Sequence, residues 1–461
     1  MQIDIITPVE CRVGKFDAQR LKPILSFKKV YYRPTKKGRV KYTYMKQVWS
    51  GKDNKYWYFW RGHLPRVLKY LHKHKVPVKV TRSFDRLITT SPPHLTGITF
   101  RPDQLELIDK ALTAQFGVIL SPTGSGKTII QLGIASCFKK QRILFLAHTI
   151  DLVDQTAEEL VKYGFGTIGN EIQILSGAHK TTYNDFTGRI VLSTMQSMSR
   201  RDYEEYATYF DIVIVDECHR VSSVEDGQYS HILGNCWAQM RLGFTATLPT
   251  DLEAQMALEG YIGPVIGELT RQEAVDKNII AKPKIRLIKI ETPIKLRSEK
   301  NYLKAYRKGI VDNVPRNRFI VNLVREIFDE KISLIMVHHI EHGKQIQALG
   351  KLQGMSLPFV HGKTKKEERM RVKKALEAGK IRAAIATTVW KEGVNIPSLD
   401  VIVNAAGGKD ELPVLQAIGR GFRRTDKKSE VEIIDFIDNS NYFFLDHLTS
   451  RLQLYSKEGW L

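Results

Sequence analysis

Residues Ser121 to Thr128 read SPTGSGKT, and the segments on either side of this stretch decide the kind of fold that carries it. The apolar run Phe116 to Leu120 enters it, and a segment of helical character, Ile129 to Phe138, leaves it, which predicts the order strand, glycine loop, helix. Gly124 and Gly126 permit backbone angles closed to other residues, so successive amide N–H groups can turn inward on one anion. Such a loop is a nest for phosphate. In this reading Ser121, Thr123, Gly124, Ser125 and Gly126 form the cradle, and Lys127 reaches the β- and γ-phosphates. Thr128 sets its hydroxyl on Mg²⁺, and the helix beginning there adds the positive end of its dipole. Ser121 stands where such loops commonly begin with glycine, which leaves the G-x-G-K-T core in place. The plainer alternative is a glycine-rich turn that merely precedes a helix.

Composition bounds the rest. A chain of 461 residues with 43% apolar content predicts about three packed domains. No run approaches the roughly 18 apolar residues of a membrane span, and Asp4 interrupts the apolar stretch near the start, so neither a span nor a secretory signal is expected. The expected compartment is the cytoplasm, the host's if the chain is phage-encoded. Cys11, Cys137, Cys218 and Cys236 form no C-x-x-C pair and read as reduced thiols rather than zinc ligands or disulfides. The net charge is +22, and residues 1 to 95 alone hold 22 Lys and Arg against five acids, a net +17. A single-sign field confined to one segment is the footprint of a polyanion. Nucleic acid fits it; no lipidation motif or amphipathic basic helix favours a membrane.

That first segment interleaves charge with aromatics, among them Tyr31, Tyr32, Tyr42, Tyr44, Trp49 and the run Tyr56 to Trp60. Alternation from Arg39 to Trp49 and the sequence Trp49 to Tyr56 predict strands and a turn in a small, mostly β platform, followed by a basic helix over 66–75. Lys36, Lys37, Arg39 and Lys41 are the candidate phosphate contacts. The rings either stack on bases or form the core of the small sheet. Pro92-Pro93 marks a boundary. Beyond it Arg101-Pro102-Asp103-Gln104 opens a helical pattern, and a glutamine about 20 residues ahead of a phosphate loop can pair with an adenine edge through its amide. Arg101 and Gln104 are therefore candidate nucleotide contacts.

After the phosphate loop, short apolar strands repeatedly end in polar residues and are followed by helices, the pattern of a parallel sheet. Ile143 to Ala147 ends at His148-Thr149, Ile190 to Leu192 ends at Ser193-Thr194-Met195-Gln196, and Ile212 to Val215 ends at Asp216-Glu217-Cys218-His219. Strand carboxyl ends are where open α/β sheets bind ligands, so these endings should converge on the phosphate loop. Asp216 is the candidate holder of Mg²⁺, and Glu217 the candidate for orienting and deprotonating an attacking water. His219 either couples the phosphates to Gln416 or to Thr245-Ala246-Thr247, or is a satisfied structural histidine.

These motifs together resemble a superfamily 2 helicase or translocase of the DExH type, closest in character to phage branch-migration helicases. SPTGSGKT resembles motif I, Asp216-Glu217-Cys218-His219 motif II, Thr245-Ala246-Thr247 motif III, and the stretches at His148-Thr149 and Thr194 to Ser197 motifs Ia and Ib. Further on, Glu392-Gly393-Val394-Asn395 resembles motif V, and Gln416, Gly419, Arg420 and Arg423 resemble motif VI. The resemblance implies an α/β fold of two RecA-like lobes with parallel sheets, preceded by the small basic, mostly β domain. The boundaries expected are 1–95 for the basic domain, 96–265 for lobe 1, 266–282 for a loose linker, 283–440 for lobe 2 and 441–461 for a helical tail. Val431 to Ile434 is expected to close the second sheet. The resemblance further implies ATP and Mg²⁺ as cofactors, with Gly393 and Asn395 at the nucleotide and Gln416, Arg420 and Arg423 in catalysis, one or both arginines as fingers. It implies nucleic-acid contacts at His148, Thr149, Thr194 and Gln196 in one lobe and His338, Thr364 and Thr387 in the other. The function expected is ATP-dependent remodelling of branched DNA such as forks and Holliday junctions. An RNA helicase shares every one of these motifs, and a nucleic-acid-binding protein with an inactive ATP site is the alternative from another class. The basic insertion 295–308 and the hairpin near Trp49 to Tyr56 are rival candidates for the element that parts strands.

Overall fold

The computed structural model describes residues 1–35, 38–176, 185–221, 227–280, 282–291, 296–387, 398–409, 430–457 and 459–461. At its start, period-two alternation makes a sheet from β1 (Gln2–Ile5), β2 (Glu10–Gly14), β5 (Trp49–Lys52), β6 (Tyr56–Trp60) and β7 (Lys79–Arg82), after β3 (Ser26–Thr35) and β4 (Gly38–Gln47) have left it as a separate ribbon. The sheet order is β5-β6-β2-β1-β7, with β1 and β7 parallel and the remaining pairs antiparallel. On β2 and β6 every second residue is buried, so Cys11, Val13, Trp57 and Phe59 point into the core. Trp57 and Phe59 are thus core rings rather than base-stacking platforms. Helices α1 (Lys15–Leu21) and α2 (Leu64–Lys73) supply Ala18, Leu21, Val67 and Leu71 to the same interior.

The β3–β4 ribbon pairs from Ser26↔Gln47 to Thr35↔Gly38 and joins no other sheet among the described residues. Ten residues per strand give it a length of about 33 Å. Its sequence from Ser26 to Gln47 holds eight Lys and Arg and no acid.

By internal packing the chain divides into two compact units, Met1–Pro122 with Gly126–Thr270 and Thr123–Ser125 with Arg271–Leu461. In the first, α3 (Pro102–Ala114) leads into β8 (Phe116–Leu120), and α4 (Lys127–Ser136) leaves the phosphate loop. There follow β9 (Ile143–Ala147), α5 (Ile150–Lys162), β10 (Ile172–Leu175), β11 (Ile190–Thr194), α6 (Met195–Met198), α7 (Tyr203–Tyr206), β12 (Ile212–Asp216), α8 (Gln228–Asn235), β13 (Met240–Thr245), α9 (Leu252–Tyr261) and β14 (Val265–Glu268). The seven strands β8 to β14 form one parallel sheet, ordered β10-β11-β9-β12-β13-β8-β14. Such strands are covered on both faces and read as apolar runs; Ile143 to Ala147 and Ile212 to Val215 are buried throughout. One apolar core runs from Ile3, Phe59 and Leu71 of the N-terminal sheet to Val118, Val215 and Leu258 beneath the larger one.

The second unit begins with α10 (Arg271–Asp276) and β15 (Lys282–Ile290), then α11 (Tyr302–Tyr306), α12 (Val314–Ile327), β16 (Ser333–Met336), α13 (Ile340–Leu352), β17 (Phe359–Val360), α14 (Lys366–Glu377), β18 (Ala383–Ala386), β19 (Val401–Asn404), β20 (Glu430–Asp438) and α15 (Tyr442–Lys457). The six strands are parallel in the order β15-β20-β19-β16-β18-β17. Two expectations change here. The stretch 266–282, read as loose, carries the end of β14 and the helix α10. The second sheet is closed by β15, with β20 one place inside it; lysines and an arginine interrupt the apolar pattern of KPKIRLIKI, as suits an edge strand.

In the basic insertion 295–308 some of the apolar residues are anchored while most of the other described residues are exposed. Leu296, Ala305 and Tyr306 pack with Ile310, Val311 and Phe444 in a small core against the C-terminal helix. All four cysteines are buried and free. Among the described residues no helix is long and apolar enough to cross a membrane.

Candidate active site

The phosphate loop occupies the turn between β8 and α4, and its backbone has the geometry the sequence demands. Gly124 and Gly126 lie at φ 83° and 93°, the left-handed region that only glycine enters without strain. At Gly126 a side chain is also sterically barred, since a Cβ there would stand 2.7 Å from Nε2 of Gln104. Ser121 begins the loop with its N–H donating to the Thr245 carbonyl at 3.0 Å, which fixes it to the end of β13. Thr123 to Ser125 continue the turn, Lys127 is the first residue of α4, and Thr128 follows half-buried in its first turn.

The strand order places β12 two positions from β8, with β13 between them, so the polar end of β12 lies close to the loop. Lys127 Nζ stands 3.5 Å from Glu217 Oε1 and donates to the Ser121 carbonyl at 3.4 Å. Glu217 has φ 47° and ψ 48°, a left-handed conformation uncommon outside glycine. Its other oxygen, Oε2, is 3.2 Å from His219 Nδ1, which also lies 2.9 Å from the Thr245 hydroxyl. That hydroxyl donates its own hydrogen to the Thr247 carbonyl at 2.9 Å, so it must accept from His219. Nδ1 is therefore the protonated ring nitrogen in this network. Of the couplings open to His219, the one to Thr245-Ala246-Thr247 is present; Gln416 lies outside the described residues.

Asp216 receives a hydrogen bond from Gln131 Nε2 at 3.1 Å. Gln131 is buried on α4, one turn after Thr128, and was not singled out by sequence reasoning. Its signal was a lone amide inside the otherwise apolar run IIQLGIA. The two adjacent acids share one site unequally. Burial and the neighbouring Glu217 push the Asp216 carboxyl up. Burial opposes ionisation of Glu217 as well, yet the Lys127 ammonium and His219 override it and hold that carboxyl below the usual range. Of the two, Glu217 is the one whose charged form its surroundings favour. Cys218, between them and His219, is fully buried, and its thiol is pushed well above its ordinary value by burial.

No three or more His, Cys, Asp and Glu among the described residues stand together as a metal site. An Mg²⁺ that keeps water and substrate phosphates as its other ligands asks for few protein oxygens, and the Asp216 carboxylate, held by Gln131, with the hydroxyl of Thr128 one turn earlier on the same helix, are oxygens of that kind. The residues fit that group. Arg101 caps α3 and pairs with Asp103 through Nε and Nη2 at 3.0 and 2.9 Å. Gln104 is buried and its amide oxygen accepts from the Arg101 N–H at 3.1 Å, so Nε2, beside Gly126, is the part of that amide nearest the loop.

The expected strand contacts divide. Gln196 is exposed just past β11, and Thr149 caps α5 by accepting from the Leu152 N–H at 3.3 Å. Thr194 is corrected: it is buried, accepts from the Ser197 N–H and donates to the Ser197 hydroxyl, so it positions α6 instead of reaching outward. His148 lines a cavity of about 370 Å³ with Gln196, Arg220 and Tyr229, and burial, then Arg220, lower its pKa to about 4. It is a neutral ring at pH 7 and offers a phosphate no charge. In the second unit His338 is exposed after β16, and Thr364 accepts from the His361 N–H at 3.0 Å. Thr387 is corrected to a buried residue after β18, whose N–H donates to the Val360 carbonyl. Arg39 and Lys41 fall on β4. Lys36, Lys37, Gly393, Asn395, Gln416, Arg420 and Arg423 lie outside the described residues.

Two family models match the chain, Type III restriction enzyme, res subunit, over residues 97–250 and Helicase conserved C-terminal domain over residues 316–425. Among curated proteins, the ATP-dependent DNA helicase uvsW of Enterobacteria phage T4 is 24% identical over 378 residues, 77% of this chain and 74% of that protein. The DNA 3'-5' translocase XPB2 of Sulfurisphaera tokodaii is 26% identical over 373 residues, covering 72% and 80%. Among solved structures, S. cerevisiae Dbp5 bound to RNA and ADP BeF3 superposes with a TM-score of 0.56 at 17% identity, over 78% of this chain and 92% of that one, a likeness of fold.

Proposed function

The chain belongs to the superfamily 2 helicases and is an ATP-hydrolysing enzyme, and on that premise we propose that it is a DNA helicase or translocase that remodels branched duplexes such as forks and Holliday junctions. The observation that carries this reading is the separation of the two chemistries along the chain. Residues 1–95 hold +17 of the net +22, while the phosphate loop and acid pair stand in the α/β part that follows. A grip on a polyanion and a nucleotide engine are thereby built from different residues. The similarity to phage and archaeal DNA helicases and translocases supports DNA over RNA, and a phage setting would put the enzyme in the host cytoplasm.

In this reading Lys127 leaves Glu217 when phosphate oxygens compete for its ammonium. Glu217 then loses the cation that most depresses its carboxyl and becomes a better base for the attacking water. Its second oxygen stays tied to His219, which fixes the direction in which the free lone pairs point. Mg²⁺, held by Thr128 and Asp216, would supply charge neutralisation between the β- and γ-phosphates. Gln131 keeps Asp216 turned toward that position. Arg101 and Gln104 flank the base side, Gly393 and Asn395 are assigned to the nucleotide, Gln416 to coupling, and Arg420 and Arg423 to neutralising charge on the transferred phosphoryl group. Residues 1–95, through Lys36, Lys37, Arg39 and Lys41, hold the duplex arm, while Thr149, Gln196, His338 and Thr364 track the strand.

Steady-state turnover measured with no nucleic acid, single-stranded DNA, linear duplex, a synthetic four-way junction and an RNA hairpin at one salt concentration tests this. Strongest stimulation by the junction, with strand exchange, is expected. Stimulation by RNA alone would move the enzyme to the RNA helicases, and no turnover under any condition would leave a binding protein.

A further inference from the structure

The N-terminal domain meets the α/β part along several elements, and one of them, α9, starts five residues after Thr247. Interactions at its beginning lead back to the acid pair. Glu217 meets His219, His219 meets the Thr245 hydroxyl, and Thr245 exchanges hydrogen bonds with both the carbonyl and the N–H of Thr247. Two residues on, the Pro249 carbonyl accepts from Gln255 Nε2 at 2.8 Å, and Asp251 caps α9 by accepting from the Ala254 N–H at 2.9 Å. A run of hydrogen bonds and short chain thus connects Thr245 to the start of the helix.

The other face of α9 is occupied by the N-terminal domain. Glu253 Oε2 stands 2.7 Å from Lys29 Nζ on β3, and Oε1 3.0 Å from Lys46 Nζ on β4, so one carboxylate clasps both strands of the basic ribbon at its root. The Glu253 and Lys46 side chains are each only 14% exposed, which sets this clasp apart from the screened pairs of an open surface. Burial works against the charge on Glu253, yet the two ammonium groups hold its carboxyl below the usual range. Near the helix end Glu259 takes Arg66 of α2 in a two-pronged pair, with Nε to Oε1 at 2.8 Å, and Tyr261 packs on Trp60 with centroids 4.7 Å apart. Backbones meet there too, since a Cβ on Gly62 would collide with the Glu259 carbonyl oxygen. The end of α9 is welded to the domain by packing; the start is held to the ribbon by charge.

We propose that Glu253 is a positioning residue through which the state of the nucleotide site sets the placement of the β3–β4 ribbon on bound DNA. A basic two-stranded ribbon is of a size the major groove of a duplex admits, and its root is anchored to the helix that the Thr245 network reaches. This rests on the reading that residues 1–95 grip DNA. It adds that the grip is graded by nucleotide and is not a passive tether.

The test is linkage. The Kd of the intact chain for a synthetic four-way DNA junction is measured with and without a non-hydrolysable ATP analogue, and the Kd for the analogue with and without the junction. The two ratios must agree, and linked sites typically give roughly 5- to 150-fold. In Glu253→Gln and Glu253→Ala the ratio is expected to fall to about one, with analogue binding in the absence of DNA and the thermal midpoint unchanged. Coupling retained in both variants overturns the proposal. If either variant melts early, the charge-swapped triple variant Glu253→Lys, Lys29→Glu, Lys46→Glu decides: restored coupling supports the clasp, and a folded swap with no coupling overturns it. Neutralising Lys36, Lys37, Arg39 and Lys41 separates this from the reading beneath. Each cation withdrawn from a phosphate should make the slope of log Kobs against log salt shallower by about 0.9. An unchanged slope removes the DNA grip itself, whereas a shallower slope with intact coupling in Glu253→Ala removes only the inference.

Discussion

The two large sheets are both fully parallel, yet the polar residues at their carboxyl ends are used in opposite ways. In the seven-stranded sheet Asp216, Glu217 and His219 remain half-buried, and Glu217 keeps its charge by facing Lys127 across 3.5 Å. In the six-stranded sheet a buried network ties β19 and β20 to α12 and α15. Arg316, fully buried, meets Asp438 through Nε and Nη2 at 2.8 and 2.9 Å and also reaches the Ala405 carbonyl. Asp435 at the core of β20 takes Arg451 at 2.7 Å, the Tyr455 hydroxyl at 2.8 Å and Asn404 at 3.0 Å. Loose polar ends leave lone pairs for a substrate; closed ones spend most of theirs on architecture. One fold can thus carry an engine in one unit and a brace in the other.

This contrast can be broken most sharply at Lys127. Lys127→Ala should reduce ATP turnover by at least about 10³-fold, while urea unfolding of the chain stays close to that of the parent; a large stability loss would mean that the first site is structural too. Arg316→Met should do the reverse, leaving Asp438 buried and unpaired at a cost of about 3 to 5 kcal/mol in unfolding free energy. Adding Asp438→Leu should recover much of it. If Arg316→Met left the urea midpoint untouched, the second network would not be a brace.

The buried histidine of the second unit sharpens the comparison through pH. His342 Nε2 donates to Asn317 Oδ1 at 2.8 Å, and burial, then Arg316, hold its pKa at about 3. A histidine neutral in the fold and cationic when unfolded gives stability that is fully present above about pH 6.5 and is lost as pH falls toward 3, by about 1.4 kcal/mol per unit. Thermal midpoints measured between pH 7 and pH 4.5 should fall accordingly, and His342→Asn should flatten that slope. The smallest effect is expected at Gln131, which is buried like a brace but serves the engine. Gln131→Leu should lower turnover by about tenfold and raise the Mg²⁺ concentration needed for half-maximal nucleotide binding, with little change in the urea midpoint.

What could be read from the residues follows the same division. The strands Phe116–Leu120 and Ile143–Ala147 are unbroken apolar runs, and they stand where those runs predict. The phosphate loop and Asp216-Glu217 were legible because each motif is local. Thr194 was misjudged because a threonine at a strand end serves equally as a helix cap, and the choice depends on Ser197 three residues on. Edge strand β15 escaped notice because basic residues interrupt its apolar alternation. The arginines Arg241, Arg316 and Arg451 were hidden for a different reason. Arginine ordinarily signals surface, and these are buried because acceptors enclose them, backbone carbonyls 5 to 20 residues away for Arg241 and the Asp438 carboxylate 122 residues away for Arg316. Long-range pairing of that kind leaves no periodic trace.

The β3–β4 ribbon has a consequence apart from any substrate. With two strands and no further strand joined to it among the described residues, it presents two edges, each a row of amide and carbonyl groups of the kind that can take a strand from another molecule. Eight positive charges and no negative one over 22 residues make a second ribbon an unwelcome partner. The same charges therefore act as a solubility device, and the hazard of stripping them is concentration-dependent self-association. Dynamic light scattering across a protein dilution series would reveal it, and any weakened binding in a lysine-depleted variant should be interpreted only after its dispersity is known.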